Sequence, residues 1–450
     1  MIKLIRQVGP AIIVAAVVLG PGSITTSTKV GAAFGYKMIW LLFVLLALLI
    51  GVASLASWLG ATLEKSLCRE LSDRLGPWAG WVIGIAFFLI VAGFQSSNNM
   101  AVIAGIEPLL GENTKLSKIP IIAILIGVNS GIIAILYFAK DLYKQVERIM
   151  KGMILLMIGA FVINLCFAKP SITGVAKGML IPDYSPFQNS EHLILLMGLI
   201  ATTFSVAGAF YQGYLVREKG WGPDDVKAGF RDTVFGMCVL VGVTSIIMMT
   251  SAAVFFGKVD PKELSDAGKM SAQLKNTFKG GASWIFCFGF LAGAFSSFLV
   301  NAMIGGHVFS DGLGLGSALK SKSARAFTTL ALIIGMLIGV ASLVTEVDRG
   351  SPIKDGGAVS NVEDEPTANQ KKRGFDRTST IVMAQASTVV GGPAVVAGLL
   401  FLGWRQFFRE KRKPPLWTLI LTSIAMILTL LIATTTAKKV VDSVKKIVQT

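Results

Sequence analysis

Residues that could bind an ion lie together in one short stretch, VVLGPGSITTSTKV, at residues 17–30. Glycine, proline and glycine interrupt an apolar run there, and five hydroxyl residues and a lysine follow. Proline lacks an N–H group and stops a helix, so the break exposes backbone groups where the next helical segment starts. Such N–H groups can hold a small anion together with hydroxyl side chains. The predicted ion-binding residues here are Gly20, Pro21, Gly22, Ser23 and Thr25, with Lys29 as a nearby vestibule charge.

Residue groupings typical of an enzyme or of a bound cofactor do not stand out. The four cysteines are scattered without CxxC spacing, and the two histidines, His192 and His307, lie far apart in the chain. A P-loop, a dinucleotide-binding fingerprint and a Ser-His-Asp order are not evident either. We therefore expect no catalysis, no metal site and no cofactor.

The composition indicates the medium in which the chain folds. Its 450 residues are 53% hydrophobic and only 15% charged, and the mean hydropathy is +0.68. These values are typical of a polytopic membrane protein in contact with the lipid bilayer. The net charge of +16 comes largely from loops such as 140–148 and 404–417, as in the cytoplasmic loops of membrane proteins, so nucleic-acid binding is not expected. We expect a bacterial plasma-membrane protein with a cytoplasmic N-terminus and an external C-terminus.

Apolar runs long enough to cross a membrane predict about eleven helices and an all-α fold. The first run continues past the usual length of a signal peptide without a cleavage site, so it is expected to stay in the mature chain. A polar loop at 346–377 is expected outside the cell, within a single transmembrane domain that covers 1–450. The predicted spans are 9–34, 36–62, 77–106, 118–139, 147–168, 191–216, 228–257, 281–307, 325–344, 379–403 and 414–436.

A second break is expected five spans after the first. In transporters built from inverted repeats, two broken helices face each other near the middle of the membrane and form the substrate site. The sixth span contains Ala207-Gly208-Ala209 between an apolar half and a polar half with Tyr211, Gln212 and Tyr214. The small residues predict a break, although a smooth helix surface for close packing is the alternative.

Three segments resemble the Nramp family of metal transporters. They are VGPAIIVA at 8–15 with the Pro-Gly break that follows, GAAFGYKMIWLL at 31–42 and AGAFSSFLVNAM at 292–303. The resemblance implies a LeuT-type fold of five plus five inverted helices plus one extra span, in which the first and sixth helices are discontinuous. It places repeat one at about 9–168, repeat two at about 191–403 and the extra span at about 414–436.

At the positions that match the family's site residues, this chain lacks the family's ionisable and metal-binding side chains. Its metal-binding Asp-Pro-Gly-Asn matches Gly20-Pro21-Gly22-Ser23, and its Met-Pro-His falls on Ser205-Val206-Ala207, so carboxylate, thioether and imidazole are missing. Its acidic pair in the third span matches Gln95 and Asn98, whose amides cannot titrate. No Asp or Glu is expected well inside any span. Tight binding of a divalent metal and a proton relay through the third span are therefore not expected.

A small oxyanion suits such a neutral site, and we predict secondary-active or facilitative transport of a small inorganic ion such as bicarbonate. Two alternatives stay open: a divalent cation transporter for Mg²⁺ or Mn²⁺, and a transceptor that does not transport. The other predicted substrate residues are Gln95, Ala207, Gly208, Ala209, Tyr211 and Gln212, with Arg217 as a second vestibule charge and Ser296 and Ser297 as a candidate site for a coupling Na⁺.

Overall fold

The structure is a computed structural model that describes residues 9–111, 116–264, 267–278, 281–345 and 377–448. The predicted external loop at 346–377 lies outside these ranges except for its last residue, where a helix begins. The described part of the chain is helical, without β-strands. This confirms the predicted all-α fold.

Sixteen α-helices form within the described ranges. Short 3₁₀ turns at Ser185–Gln188 and Pro223–Asp225 precede two of them. The helices are α1 Pro10–Val18, α2 Pro21–Phe34, α3 Ile39–Thr62, α4 Leu67–Leu75, α5 Pro77–Leu110, α6 Lys118–Phe138, α7 Leu142–Ala168, α8 Ile172–Leu180, α9 Ser190–Thr203, α10 Val206–Glu218, α11 Val226–Phe255, α12 Ala267–Phe278, α13 Gly281–Gly312, α14 Lys322–Thr345, α15 Arg377–Arg409 and α16 Leu416–Val448.

The long helices coincide with the predicted spans. Among the described residues, nine stretches are long and apolar enough to cross a membrane, with α9 and α10 counted together, and the bent pair of α1 and α2 adds a tenth. The remaining predicted span, at 379–403, coincides with α15. The short helices α4, α8 and α12 lie between the spans. The chain is therefore an integral membrane protein built from long apolar helices.

The first span is discontinuous, as the sequence predicted. Leu19 leaves the helical region with ψ 37°, and Gly20 is extended with ψ 179°. Pro21 then occupies the first position of α2, where its missing N–H costs no hydrogen bond. The axes of α1 and α2 differ by 59°. At the other end of α1, the Asp232 carboxylate of α11 accepts hydrogen bonds from Gly9 N (2.7 Å) and Ala11 N (2.8 Å).

The sixth span is also discontinuous, but its break lies earlier than predicted. The non-helical residues are Phe204 and Ser205, and the Ser205 Oγ accepts a hydrogen bond from Gly208 N (3.2 Å) as the N-cap of α10. Residues 207–209 form the first turn of that helix. A Cβ atom at Gly208 would lie 3.2 Å from both Val14 and Val18, so this glycine permits close packing, which was the alternative interpretation.

The two broken spans lie side by side with their gaps at the same level. Gly208, three residues after the second break, contacts Val18, which immediately precedes the first break. On the other side of the gaps, Thr26 of α2 and Thr202 of α9 share a hydrogen bond of 2.8 Å. Thus α1 packs on α10 and α2 packs on α9. This is the predicted arrangement of a LeuT-type fold.

Connections at one end of the bundle are tied together by polar contacts. Glu218 at the end of α10 accepts a hydrogen bond from Leu319 N (2.6 Å), and Lys320 donates one to the Lys140 carbonyl (2.7 Å) after α6. The N-terminus of α1 lies at this end too, since its cap comes from the start of α11. We call this end, which holds the connections at 139–151, 217–231 and 313–325, the basic end because lysine and arginine are frequent there.

Candidate ion-binding site

Gly20 lies against α13 at the first break. A Cβ atom at this position would lie 2.6 Å from Ser297 Oγ and 2.9 Å from Ser297 Cβ. Gly293, one turn earlier on α13, faces the Leu19 carbonyl in the same way, because its Cβ would lie 2.6 Å from that oxygen. The space beside Gly20 that was predicted to hold an ion is therefore partly filled by the Ser297 side chain.

The hydroxyl residues of α2 divide into two groups. Thr26 donates to the Gly22 carbonyl (2.8 Å), and Thr28 donates to the Ile24 carbonyl (2.8 Å), so both hydroxyls bond to their own helix. Ser23 and Ser27 are buried, and among the described residues their Oγ atoms have no hydrogen-bond partner. Ser23 and Ser27 are therefore the fully buried hydroxyls of α2 that are free to bind a ligand.

Ser23 and Ser27 share one face of α2 because they are four residues apart. Thr25, which was also predicted to bind the ion, is buried but lies about 200° around the helix from Ser23. At the end of α9, Thr203 is a further buried residue whose hydroxyl has no partner among the described residues. The two broken spans therefore contribute unpartnered hydroxyls on both sides of their contact.

A small cavity adjoins the second break. Its volume is about 40 Å³, close to the size of one or two water molecules. Most of its lining is apolar, so the cavity itself is a poor site for a charged ion. The lining residues are Ile90, Ile200, Ala201, Phe204, Ser205, Val206, Ala207, Gly392, Val395, Thr429 and Ile432.

The polar half of the sixth span lies away from the break. At 1.5 Å per residue, Tyr211 and Tyr214 lie about 9 and 13 Å beyond Ser205 along α10. Gln212 Nε2 lies 3.3 Å from the Thr233 hydroxyl of α11. These side chains were predicted to supply neutral donors to the substrate, but the structure places them toward the basic end.

The third-span amides bind each other and α13. Gln95 Nε2 donates to the Phe298 carbonyl (2.8 Å), and Asn98 Nδ2 donates to Gln95 Oε1 (2.9 Å). Ser297 accepts a hydrogen bond from Asn301 Nδ2 (2.9 Å) on the next turn of α13. Gln95 therefore contacts Phe298, the neighbour of the Ser297 that packs on Gly20. The polar atoms of Gln95 are already hydrogen-bonded to protein groups.

The serine pair of α13 is brought to the first break, as predicted. The Ser296 hydroxyl lies 2.8 Å from the Ala16 carbonyl and 3.0 Å from the Gly293 carbonyl. A Na⁺ ion between this hydroxyl and a carbonyl of α1 would have to replace an existing hydrogen bond. The structure thus brings the Ser296 hydroxyl to a carbonyl of α1, the two kinds of group proposed to bind sodium, but these two groups are hydrogen-bonded to each other.

The two predicted vestibule charges have different surroundings. Lys29 is partly exposed on α2, about 9 Å beyond Ser23. Arg217 lies at the far end of α10, where its guanidinium donates to the carbonyls of Leu63 (2.7 Å) and Glu64 (2.8 Å). Arg217 therefore caps the end of α3 and lies about 18 Å from Ser205, so it does not act directly on the break.

Two buried carboxylates lie near the ends of long helices, and neither is well inside a predicted span: Asp232 is four residues after the start of the span at 228–257, and Asp311 is four residues beyond the end of the span at 281–307. Asp232 caps α1, and Asp311 near the end of α13 is only 3% exposed. Among the described residues, no three His, Cys, Asp or Glu side chains are grouped so as to hold a metal ion. A second polar region surrounds Asp311 and His307, which contact the tyrosines of α10. The i, i+4 spacing of these two residues on one helix face was the signal in the sequence that could have revealed it.

Comparisons with known proteins agree with this architecture. A family model described as "Natural resistance-associated macrophage protein-like" matches residues 11–350. The divalent metal cation transporter MntH of Yersinia enterocolitica is 25% identical over 298 residues, which cover 66% of this chain and 70% of that protein. MntH of a Nostoc strain is 24% identical over 349 residues, with 75% and 76% covered.

Solved structures show the same fold at low sequence identity. A manganese transporter of Eremococcus coleocola, in complex with an aromatic bis-isothiourea compound, has a TM-score of 0.78 at 16% identity, with 96% of this chain and 85% of that chain covered. A Na⁺-coupled sialic acid symporter has a TM-score of 0.56 at 12% identity, with 94% and 88% covered. From its family match and its LeuT-type fold, the chain belongs to the Nramp family and is a membrane transporter rather than an enzyme.

Proposed function

We propose that this transporter moves a small inorganic ion through a neutral site at the two helix breaks, and that the ion is a small anion such as bicarbonate. The observation that carries the proposal is the pair of buried, unpartnered hydroxyls of Ser23 and Ser27 in the first turns of α2. A buried hydroxyl without a hydrogen-bond partner destabilises the folded protein, so binding of a ligand that accepts its hydrogen bond is favoured.

The start of α2 adds backbone donors to these hydroxyls. Pro21 has no N–H group, and Ile24 N already donates to the Gly20 carbonyl (3.1 Å). The N–H groups of Gly22 and Ser23 remain without an acceptor inside the helix, and the helix dipole places about half a positive charge there. Residues 19–28 and 202–209 contain no Asp or Glu, so no carboxylate at the breaks opposes a negative charge.

A divalent cation is the second candidate, because the relatives are named as transporters of divalent metals. Serine hydroxyls and the carbonyls at the end of α1 are oxygen ligands of the kind that Mg²⁺ or Mn²⁺ accepts. Without a carboxylate, however, these ligands would have to offset the loss of a strongly held hydration shell. The helix ends do not decide between the ions, because the positive start of α2 and the negative end of α1 both lie at the first break. The absence of a carboxylate therefore favours the anion.

Uptake into proteoliposomes tests the proposal. The purified transporter is offered labelled bicarbonate, Mg²⁺ and Mn²⁺ separately, each with and without a Na⁺ gradient. Ser23→Ala should weaken bicarbonate uptake by about tenfold to a hundredfold, since a hydrogen bond to a charged group contributes about 1.5–3 kcal/mol. Thr28→Ala is the matched control, because the Thr28 hydroxyl bonds to its own helix.

Each result decides between the candidates. Bicarbonate uptake that falls in Ser23→Ala and persists in Thr28→Ala supports the proposal. Uptake of Mg²⁺ or Mn²⁺ without bicarbonate uptake replaces it with the second candidate. If the protein transports none of the three ions, the transceptor interpretation gains support.

The orientation and the repeat boundaries are part of the same proposal. We propose a bacterial plasma membrane location with a cytoplasmic N-terminus, because the N-terminal end of α1 lies at the basic end and positive loops face the cytoplasm. We retain repeat one at 9–168, repeat two at 191–403 and the extra span at 414–436. In a cysteine-free background, Lys320→Cys should resist an impermeant thiol reagent in intact cells, and labelling from outside would reverse the orientation.

A further inference from the structure

A buried polar cluster lies between the second break and the basic end, apart from the ion-binding site. It consists of His307 and Asp311 of α13, Tyr211 and Tyr214 of α10, and Ser66 just before α4. His307 is 1% exposed and Asp311 is 3% exposed. They lie one turn apart on the same helix. Neither of these two titratable side chains has a role in the proposed ion site.

The contacts of His307 define its neutral tautomer. Its Nε2 lies 2.8 Å from the Ser317 carbonyl oxygen, which can only accept a hydrogen bond, so Nε2 carries a proton. In a neutral ring, Nδ1 then has a lone pair, and the Tyr211 hydroxyl at 3.1 Å donates to it. Nδ1 is thus the one position on the ring that can take up a proton. Protonation would make it a donor and force the Tyr211 hydroxyl to accept.

The contacts of Asp311 suit a carboxylate. Its Oδ1 accepts a hydrogen bond from Ser66 Oγ (2.7 Å), and its Oδ2 accepts one from the Tyr214 hydroxyl (2.6 Å). Cys68 N lies 3.3 Å from the same hydroxyl as a donor, so the Tyr214 proton points to Asp311. Asp311 follows His307 by one helical turn, so the carboxylate and the imidazole lie on the same side of α13.

We propose that His307 is a proton-binding site with Asp311 as its counter-charge, and that it couples the movement of α10 to protons. The inference rests on the proposed transport function, because coupling requires a transported ion. The third-span amides cannot titrate, whereas His307 can. Tyr211 and Tyr214 belong to the half-helix that starts at the second break, so a displacement of α10 relative to α13 breaks both tyrosine contacts together.

The other charged and titratable groups around His307 come from the neighbouring elements. Cys68 of α4 contacts Tyr214, and Arg69 approaches Gly314 just after α13. Glu218 at the end of α10 binds Leu319 N. Asp311 is the acidic side chain on the same face of α13 as His307. Tyr214 binds Asp311 and Tyr211 binds His307, and the rings of these two tyrosines stack with their centroids 5.8 Å apart.

Nuclear magnetic resonance of the full-length protein, labelled with ¹⁵N-histidine in lipid nanodiscs, tests proton binding without any substrate. The chain has only two histidines, and His192 is exposed and serves as an internal reference. Between pH 5 and 8.5 we expect His307 Nδ1 to become protonated in the wild type and to stay neutral in Asp311→Asn. A His307 ring that keeps one neutral tautomer throughout the wild-type titration overturns the proposal.

Proton coupling is tested with a pH-sensitive dye enclosed in proteoliposomes. One bound proton changes a linked equilibrium by about tenfold per pH unit. Wild-type transport should therefore depend on pH and move protons, His307→Gln should lose both properties, and His192→Gln should keep them. Unchanged proton movement in His307→Gln refutes the coupling. If none of the offered ions is transported, the proposed function fails, while the resonance titration still decides whether His307 binds a proton.

Discussion

Replacing Gly20 by aspartate tests whether the ion at the first break is an anion. Gly20 is the N-cap of α2, next to the free N–H groups of Gly22 and Ser23. Two unit negative charges 4 Å apart repel by about 4 kcal/mol at an effective dielectric constant of about 20. We therefore expect Gly20→Asp to lower anion affinity by about a thousandfold, and by less if the new carboxyl group becomes protonated.

Gly20→Asn is the matched control, because asparagine has nearly the same size without the charge. Either side chain needs Ser297 to move, since a Cβ at this position lies 2.6 Å from its hydroxyl oxygen. Such overpacking costs about 1–3 kcal/mol and should be similar in both variants. Both residues are also good N-caps, so the start of α2 is preserved. The difference between the two variants therefore isolates the charge.

The assay combines bicarbonate uptake with calorimetry of Mn²⁺ and Mg²⁺ on the wild type and both variants. We expect uptake to be far lower in Gly20→Asp than in Gly20→Asn, and metal binding to become measurable only in Gly20→Asp. Equal loss of uptake in the two variants would show that space rather than charge matters at Gly20. Tight metal binding by the wild type would contradict the anion proposal directly.

Three further predictions follow from the contacts around the site. Gln95→Glu combined with Asn98→Asp should not increase uptake of the wild-type substrate, because two buried acids replace a satisfied amide pair; a clear gain with new pH dependence would contradict this. Ser296→Ala should abolish any Na⁺ stimulation of uptake, since its hydroxyl lies at the Ala16 carbonyl, and stimulation that survives excludes this sodium site. Asp232→Ala should lower the unfolding temperature measured by intrinsic fluorescence, because two buried N–H groups lose their acceptor at about 1–3 kcal/mol each, whereas an unchanged temperature would show that other groups replace the cap.

The first break could be predicted from the sequence because its cause is local. Pro21 cannot donate an intrahelical hydrogen bond, and the glycines on either side tolerate the extended turn. Bilayer thickness similarly sets the length of the apolar runs, so most spans were located within a few residues. Both features depend on neighbours in the chain rather than on contacts made after folding.

The second break could not be located as well, because no proline marks it. The three small residues at 207–209 suited either a break or a packed helix surface, and contacts with Val14 and Val18 decide for packing at Gly208. The break itself lies at Phe204 and Ser205, where the serine side chain caps the following helix. Such a cap is a common feature of ordinary helices, so the sequence gives no reason to select this serine over others.

The hydroxyl run of α2 shows why a list of polar residues does not define a site. Thr26 and Thr28 satisfy themselves on carbonyls of their own helix, as threonine often does, and they can contribute little to a ligand. Ser23 and Ser27 make no such bond, and their hydroxyls are buried and unpartnered among the described residues. Because a membrane interior offers no water to satisfy them, these two oxygens favour a polar ligand at the break. The choice of ion therefore depends on two hydroxyls and two backbone N–H groups rather than on the composition of the whole stretch.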